Sequence, residues 1–462
     1  MIATASQPIP EGYKQTEVAV IPNDWNTKQL KNIFSLKNGY AFKGENFSDK
    51  GPIVLTPGNF KLGGGLYFEN RNTKRYKGTY PRGFEFENGD LVLVMTDLTL
   101  DCNLLGQPAF IENEERVLHN QRIGKILFLT KPWDKKFIYY SLLSPLYLSV
   151  IKNSATGSTV RHTSPTTILN SWIIAPPKEE QTAIANALSD VDALLAQLEK
   201  LIAKKQAIKT ATMQQLLTGK TRLPEFAYYK DGDKQGQPIG TKQSELGEIP
   251  EDWEVVCFGE LFEQSTSRKN LKANTLATFI GMQDVSENAK LIRQISVAAS
   301  KVKSGFTYFE KGDVLVAKIT PCFENGKGCH TKTLNTDIGF GSTEFHVLKA
   351  KHHSDSDFIY YWTTRDILRS NLEREMVGSA GHRRVPFSAI QDYPIPCPST
   401  KQEQTEIANI LSDMDDEIQT LEQRLKKTRQ VKQGMMQELL TGRTRLPFDA
   451  SGETSTEIID AN

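Results

Sequence analysis

Two stretches of this chain are almost one stretch written twice, and any fold has to accommodate both. Gln181-Thr-Ala-Ile-Ala-Asn-Ala-Leu-Ser-Asp-Val-Asp192 runs on to Met213-Gln-Gln-Leu-Leu-Thr-Gly-Lys-Thr-Arg-Leu-Pro224. Gln404-Thr-Glu-Ile-Ala-Asn-Ile-Leu-Ser-Asp-Met-Asp415 runs on to Met436-Gln-Glu-Leu-Leu-Thr-Gly-Arg-Thr-Arg-Leu-Pro447. The offset is 223 residues at both ends, so nothing is gained or lost between them. Each copy carries an apolar stripe. The first is Ile184, Leu188, Val191, Leu195, Leu198 and Ile202, continuing to Ile208 and Leu216; the second is Ile407, Leu411, Met414, Ile418, Leu421 and Leu425, continuing to Val431, Met435 and Leu439. Steps that alternate four and three are the seam of a coiled coil. Both stripes break at matched positions, Lys205 and Thr428, where a polar group can fix the register. Gly219 and Gly442 stand where a left-handed C-terminal cap ends a helix. A helix from 179 to 217 is about 58 Å long. Two helices packed separately on their own domains are the plainer account, but equal length and register favour an antiparallel pair.

Other landmarks repeat as well. Lys14 to Trp25 matches Lys242 to Trp253, Phe86 to Val94 matches Phe309 to Ala317, Phe137 to Tyr140 matches Phe358 to Tyr361, and Trp172 to Pro177 matches Tyr393 to Pro398. The sequence between these landmarks does not repeat, which predicts one scaffold carrying two different surfaces. The division is 1–177 for a first globular unit, 178–224 for a first long helix, 225–397 for a linker and second globular unit, and 398–448 for a second long helix. Residues 1–10 are expected to be frayed and the acidic 449–462 disordered. Short strands are expected at 53–55, 91–94, 126–129, 276–280, 314–317 and 344–348. Residues 61–66 read as a turn, 134–151 and 357–372 as helices, and 225–241 as a surface linker.

The totals exclude several classes. No apolar run approaches the roughly 20 residues a membrane span needs, and no signal peptide is legible at the N-terminus. Five cysteines, an odd number, of which only Cys322 and Cys329 lie close, predict a reduced cytoplasmic chain without a disulfide framework. Net charge is only +1, so a nucleic-acid ligand requires local clustering of basic residues or a partner that adds phosphate contacts.

No stretch carries a defensible catalytic arrangement. Thr218-Gly-Lys-Thr221 imitates the end of a phosphate-binding loop, but position 214 is Gln where that loop needs glycine. Cys322, Cys329 and His330 lack a fourth ligand at finger spacing, so no metal site is expected. Ala175-Pro-Pro-Lys178 lacks the polar and aromatic neighbours with which an amino-methylating enzyme holds a flipped base. What remains are basic and aromatic residues in predicted loops, candidates for DNA contact. In the first unit these are Lys37, Tyr40 and Lys43; Arg71, Lys74 and Arg75; and Ser158, Arg161 and His162. In the second they are Arg268, Lys269, Lys318, Lys327, Ser379, His382, Arg383 and Arg384. Arginine pairs with guanine edges and lysine with phosphates. A solvated charged loop is the competing account for each. The Gly-Ser loops at 157 and 378 are the better candidates, because both precede the closing strand of their unit and both carry a His/Arg pair.

This organisation resembles the specificity subunit of type I restriction–modification enzymes over almost the whole chain. The marks are Pro176-Pro-Lys-Glu-Glu-Gln181, its counterpart Pro398 to Gln404 (departing at the first proline, with Cys397), the duplicated Leu-Leu-Thr-Gly-Lys/Arg, Ile-Pro-x-Asp-Trp before each unit, and Gly89-Asp90 with Gly312-Asp313. The resemblance implies an α+β fold: two globular target-recognition domains separated by two long antiparallel helices forming a coiled coil, in an internal pseudo-twofold duplication. It implies that each domain reads half of an asymmetric bipartite DNA target. The helices would set the spacer and dock two methyltransferase subunits, and through them restriction subunits. The chain would have no activity or cofactor of its own, S-adenosylmethionine, ATP and magnesium belonging to partners, and no membrane association. Two other classes compete: a non-catalytic coiled-coil adaptor with protein-binding end domains, which would give no sequence-selective DNA protection, and a single-chain methyltransferase, which would label DNA without partners.

Overall fold

A computed structural model describes residues 9–99, 101–130, 133–158, 160–265, 271–272, 274–302, 304–379 and 381–447. The expected tail 449–462, most of the expected frayed start, and the candidates Arg268 and Lys269 lie outside the described residues. The chain divides into two units, one formed by Met1–Glu199 with Arg424–Asn462, the other by Lys200–Gln423.

In the first unit, strands Phe34–Asn38, Ile123–Phe128, Leu91–Val94 and Pro108–Phe110 form an antiparallel sheet in that order. A second sheet joins Val117–His119, Phe47–Leu55 and Lys74–Tyr76, its first pair parallel with Leu118 opposite Val54. Trp172–Ala175 closes the globular part by pairing antiparallel with Asn26–Gln29. The expected helix over 134–151 is two helices, Lys135–Leu143 and Pro145–Asn153. Pro145 cannot donate to the preceding turn, while Ser144 ends the first helix and its hydroxyl caps the second. The break shifts the phase: Val150, which four-residue steps from Ile138 through Leu142 and Leu146 would place on the apolar face of one unbroken helix, is exposed, and Tyr147 and Ile151 are buried instead. The core joins Trp25, Leu30, Phe137 and Ile173 to Ile184 and Leu188 of one long helix and Leu439 of the other.

The second unit repeats this plan. Phe262–Gln264, Phe345–Ala350, Val314–Ala317 and Gly328–His330 form one antiparallel sheet. Ile295–Ala298, Leu276–Ile280, Ile338–Gly341 and Thr307–Glu310 form another, with the central pair parallel. Glu254–Cys257 pairs with Pro394–Cys397. The expected helix over 357–372 is again split, into Ser356–Thr363 and Asp366–Arg374. The expected linker is shorter than read: Phe226 is buried, Tyr228 bridges Pro238, and Thr241–Ser244 already pairs with Gly247–Pro250.

The long helices are Lys178–Leu217 and Lys401–Leu439. All twelve residues from Ile184 to Ile202 and from Ile407 to Leu425 assigned to the seam are buried or half-buried. Ile208 and Val431, expected to continue it, are 40% and 48% exposed. The inward position after each break falls instead on the neighbouring lysine. In the second unit Lys209 reaches Asp415 at 2.6 Å and Lys205 reaches Glu417 at 2.7 Å. In the first, Lys432 reaches Asp192 and Arg429 reaches Glu199, each at 2.6 Å. Within each unit the partner's number falls as the residue number rises. Lys205 therefore crosses to the facing helix, whereas Thr428 does not; its hydroxyl turns back to the Arg424 carbonyl.

The repeated motifs become one repeated joint. In the first unit Glu180, buried, accepts from the Trp25 indole at 3.1 Å and from Arg445, which also reaches Asp24. In the second, Glu403 accepts from Trp253 at 3.2 Å and from Arg222, which also reaches Asp252. The Gln181 and Gln404 carbonyls accept from the backbone of Asp134 and Asp355, the residues that cap the next helices. Where Gln181 donates to the Pro176 carbonyl, Gln404 donates to the Cys397 sulfur, which accounts for the departure at that position. A second joint repeats too: Tyr140 donates to Asp192 under Lys432, and Tyr361 to Asp415 under Lys209.

Candidate nucleic-acid interface

In the first unit the Gly157 loop is the tip of a hairpin. Thr156 and His162 exchange both backbone hydrogen bonds, and Arg161–His162 pairs with Thr96–Asp97. Gly157 has φ +97°, and a Cβ there would lie 2.1 Å from the Val160 carbonyl oxygen, so only glycine closes this turn. Ser158 and His162 are exposed, with the His162 Nδ1 3.2 Å from the Thr96 hydroxyl; Arg161 is half-buried. Asp97 is buried and spends its carboxylate on the backbone of Thr99 and Leu104.

Lys37, expected in a loop, lies within the strand Phe34–Asn38, and Tyr40 and Lys43 follow it. Lys37 donates to the Gly83 carbonyl and lies 5.2 Å over the Phe84 ring. Tyr40 packs on Phe42 and Phe84, and Lys43 is exposed. The Phe42 and Tyr76 rings lead on to Phe47, over which Lys74 lies at 5.9 Å. This aromatic cluster places the Lys37 and Lys74 groups on one support. Arg71 pairs with Glu69, and Arg75 forks onto Glu115. Beneath them His119 is buried against the Ile123 carbonyl, and desolvation holds it down at about 4, so it is neutral at pH 7.

In the second unit the structure brings Lys318, Arg383 and Arg384 together. Val385 donates to the Lys318 carbonyl, Thr320 to the Arg383 carbonyl, and Val377 and Arg384 exchange both bonds. Gly378, at φ +123°, plays the part of Gly157. Arg384 forks onto Glu344 at 2.8 and 2.9 Å, and this hydrogen bonding holds the Glu344 carboxyl below the usual range. Arg383 reaches Glu324 at 3.5 Å. Lys327 donates to the Met282 carbonyl. Ser379 and His382 are exposed at the tip.

A guanidinium fork filled by a carboxylate must release that partner before it takes a guanine edge. Arg75 and Arg384 are therefore placed to shape their loops, while Lys43, Ser158, His162, Lys318, Ser379 and His382 present polar atoms outward or between loops. Sequence reasoning missed the carboxylates Glu115, Glu324 and Glu344 that hold the arginines, because they lie 40 to 60 residues away with no spacing that announces them. Cys329 is buried, its thiol pushed up to about 12, and His330 faces the Ser356 hydroxyl. No group of His, Cys, Asp and Glu able to hold a metal occurs among the described residues, and no described helix is long and apolar enough to cross a membrane.

Comparison with known proteins gives a consistent answer. The chain is 31% identical over 195 residues to the Type I restriction enzyme EcoEI specificity subunit of Escherichia coli, covering 42% of this chain and 33% of that one. It is 24% identical over 465 residues to the putative MjaX specificity subunit of Methanocaldococcus jannaschii, covering 94% and 97%. Its fold matches the crystal structure of a type-I restriction–modification system S subunit from M. genitalium with TM-score 0.55 and 15% identity, over 90% of this chain and 96% of that one. The chain spans a third of the first of these relatives' length and nearly all of the second's. The model of the type I restriction modification DNA specificity domain matches residues 22–210 and again 250–430, and the chain belongs to that family.

Proposed function

We propose that the chain is the sequence-specific DNA-binding subunit of a type I restriction–modification complex and that it reads an asymmetric bipartite target, one half per globular part. The observation that carries this is the double match of the family model to regions whose basic hairpin tips, 157–162 and 378–384, stand before equivalent closing strands yet differ in sequence. One scaffold with two unlike tips is what an asymmetric target requires. The domain division is that of the sequence: target-recognition domains in 1–177 and 225–397, spacer helices in 178–224 and 398–448. The ion pairs within each unit support an antiparallel coiled coil along the twelve-residue seam.

In this reading the chain positions and its partners react. Two methyltransferase subunits dock on it, restriction subunits join through them, and S-adenosylmethionine, ATP and magnesium belong to those partners. The chain itself is non-catalytic and cytoplasmic. Lys43, Ser158 and His162 contact one half-site, and Lys318, Ser379 and His382 the other, with Arg75 and Arg384 holding the loops. Losing a base contact costs about 1–3 kcal/mol and relaxes one position, whereas losing a phosphate lysine weakens all sequences alike. The test is methylome sequencing of a host carrying the cognate methyltransferase with and without this chain. A split motif that appears only with the chain, and that His382→Ala alters in one half alone, is the expected result. An unchanged methylome ends the proposal.

A further inference from the structure

The two basic tips correspond bond for bond. In the first unit Met95 donates its backbone N–H to the Arg122 carbonyl at 2.9 Å, and Thr163 donates to the Met95 carbonyl at 3.1 Å. In the second, Lys318 donates to the Glu344 carbonyl and Val385 to the Lys318 carbonyl, each at 2.9 Å. The flanking pairs agree. Ile123 stands opposite Val94 as Phe345 stands opposite Ala317, and His162 opposite Thr156 as Arg384 stands opposite Val377. Arg122 therefore occupies the place of Glu344, Arg161 that of Arg383, and His162 that of Arg384.

The side chains at these places reverse the electrostatics. In the second unit the Arg384 fork closes on Glu344 at 2.8 and 2.9 Å, so the two charges are spent on each other. The first unit has a guanidinium where the second has that carboxylate, and an imidazole where the second has that guanidinium. Its tip has no such clamp. Arg122 is exposed, and its guanidinium makes no hydrogen bond or ion pair among the described residues. Arg161 has a buried Nε without a hydrogen-bond partner, where Arg383 has Glu324. Asp97, in register with Arg161, is committed to the backbone of Thr99 and Leu104.

The Arg122 backbone is nevertheless fixed. Its N–H donates to the Asn120 side-chain oxygen at 3.0 Å, and Ile123 closes the turn onto the Asn120 carbonyl at 3.0 Å. A fork with its charge unspent, carried on an anchored turn, suits a pair of acceptors in fixed geometry. The guanine O6 and N7 atoms are such a pair, and arginine on guanine is the commonest specific contact in the major groove.

We infer that Arg122 is a specificity-determining residue of the first half-site and that it takes a guanine there. The inference rests on the function proposed above and adds the residue, the base and the half. The second half-site has no equal contact, because Glu344 stands in that place.

The test uses the complex with the cognate methyltransferase. In methylome sequencing, Arg122→Ala should relax one guanine position, in the half that His382→Ala leaves alone. In binding titrations, each guanine of that half is replaced in turn by 7-deazaguanine, which lacks the N7 acceptor. One replacement should weaken the wild-type complex roughly fivefold or more and leave the Arg122→Ala complex unaffected. If Arg122→Ala does not assemble, Arg122→Met, which keeps the stem and removes the donors, takes its place. A half-site without guanine overturns the inference, as does a wild-type complex indifferent to every replacement. Uniform weakening in Arg122→Ala with the motif unchanged makes Arg122 a phosphate contact and overturns it equally. Each of those results leaves a split wild-type motif and the proposed function standing; a wild type that yields no split motif removes both.

Discussion

At Glu403 a carboxylate with 4% of its side chain exposed faces the Arg222 guanidinium at 2.7 Å and takes the Trp253 N–H. Glu180 does the same for Arg445, but that arginine is 41% exposed. Breaking a buried ion pair strands the surviving charge, whereas water rescues a half-exposed one. Glu403→Ala should cost about 3–5 kcal/mol and Glu180→Ala about 1–3 kcal/mol, read by urea denaturation. The buried histidines give a second prediction. Burial holds His119 and His330 at about 4, below the ~6.5 of an unfolded chain. The unfolded state therefore takes up protons first, and stability present above pH 6.5 is lost as pH falls toward 4. His119 alone accounts for roughly 3 kcal/mol across that window. A melting temperature that is flat from pH 7 to 4.5 would contradict this, and His119→Gln should shrink the drop. The joint was legible in sequence only as a motif: Glu180 and Arg445 repeat with their neighbours, but nothing in one dimension says that they meet.

Among the elements, the long helices and the buried strands Leu91–Val94, Leu276–Ile280 and Val314–Ala317 were legible, because apolar periodicity and length leave little choice. Short strands such as Lys74–Tyr76 and Pro108–Phe110 were not, since three residues carry no period. Just past the breaks the seam was read one residue off, at Ile208 and Val431, whereas Leu216 and Leu439 further along are buried as expected. Its inward positions, Lys209 and Lys432, are polar, and hydrophobicity alone cannot find a lysine that lays its stem inward toward an aspartate. The Gly157 and Gly378 loops are turn tips, but Lys37, Lys74 and Arg75, expected in loops, lie in strands, and which arginines are tied down depends on distant carboxylates. The glycine caps were fully legible and carry a prediction. Gly442 has φ +71°, and a Cβ there would lie 2.6 Å from the Pro22 ring. Gly442→Ala should destabilise the chain by about 1–3 kcal/mol, from left-handed strain and the clash. Gly219, with φ +69° and Pro250 at 2.5 Å, should behave alike. Gly434, which meets nothing within 4 Å, provides the harmless comparison by thermal denaturation.

For the whole molecule, a net charge of +1 sets the expected DNA behaviour. The chain alone should bind its target weakly, and the complex with methyltransferase should bind more tightly with a steeper salt dependence, because partners add phosphate contacts. Equal affinity and equal slope in a salt titration would count against this. Under the proposed reading, seven residues inserted into each long helix, between 199 and 205 and between 417 and 429, keep the heptad phase and add about 10 Å. Methylated targets of that variant should keep both half-sites and gain roughly three base pairs between them.

The first unit is built from two separated stretches, ending at Glu199 and resuming at Arg424, while the second is continuous. On the ribosome this imposes an order. The 246 residues between Glu199 and Arg445 take roughly 12–50 s to make at ~5–20 residues per second. Throughout that interval Ile184 and Leu188 have no Leu439 to cover them, and Glu180 has no guanidinium. The half made first is thus completed last, and a nascent chain ending between Glu199 and Arg424 carries that apolar flank uncovered.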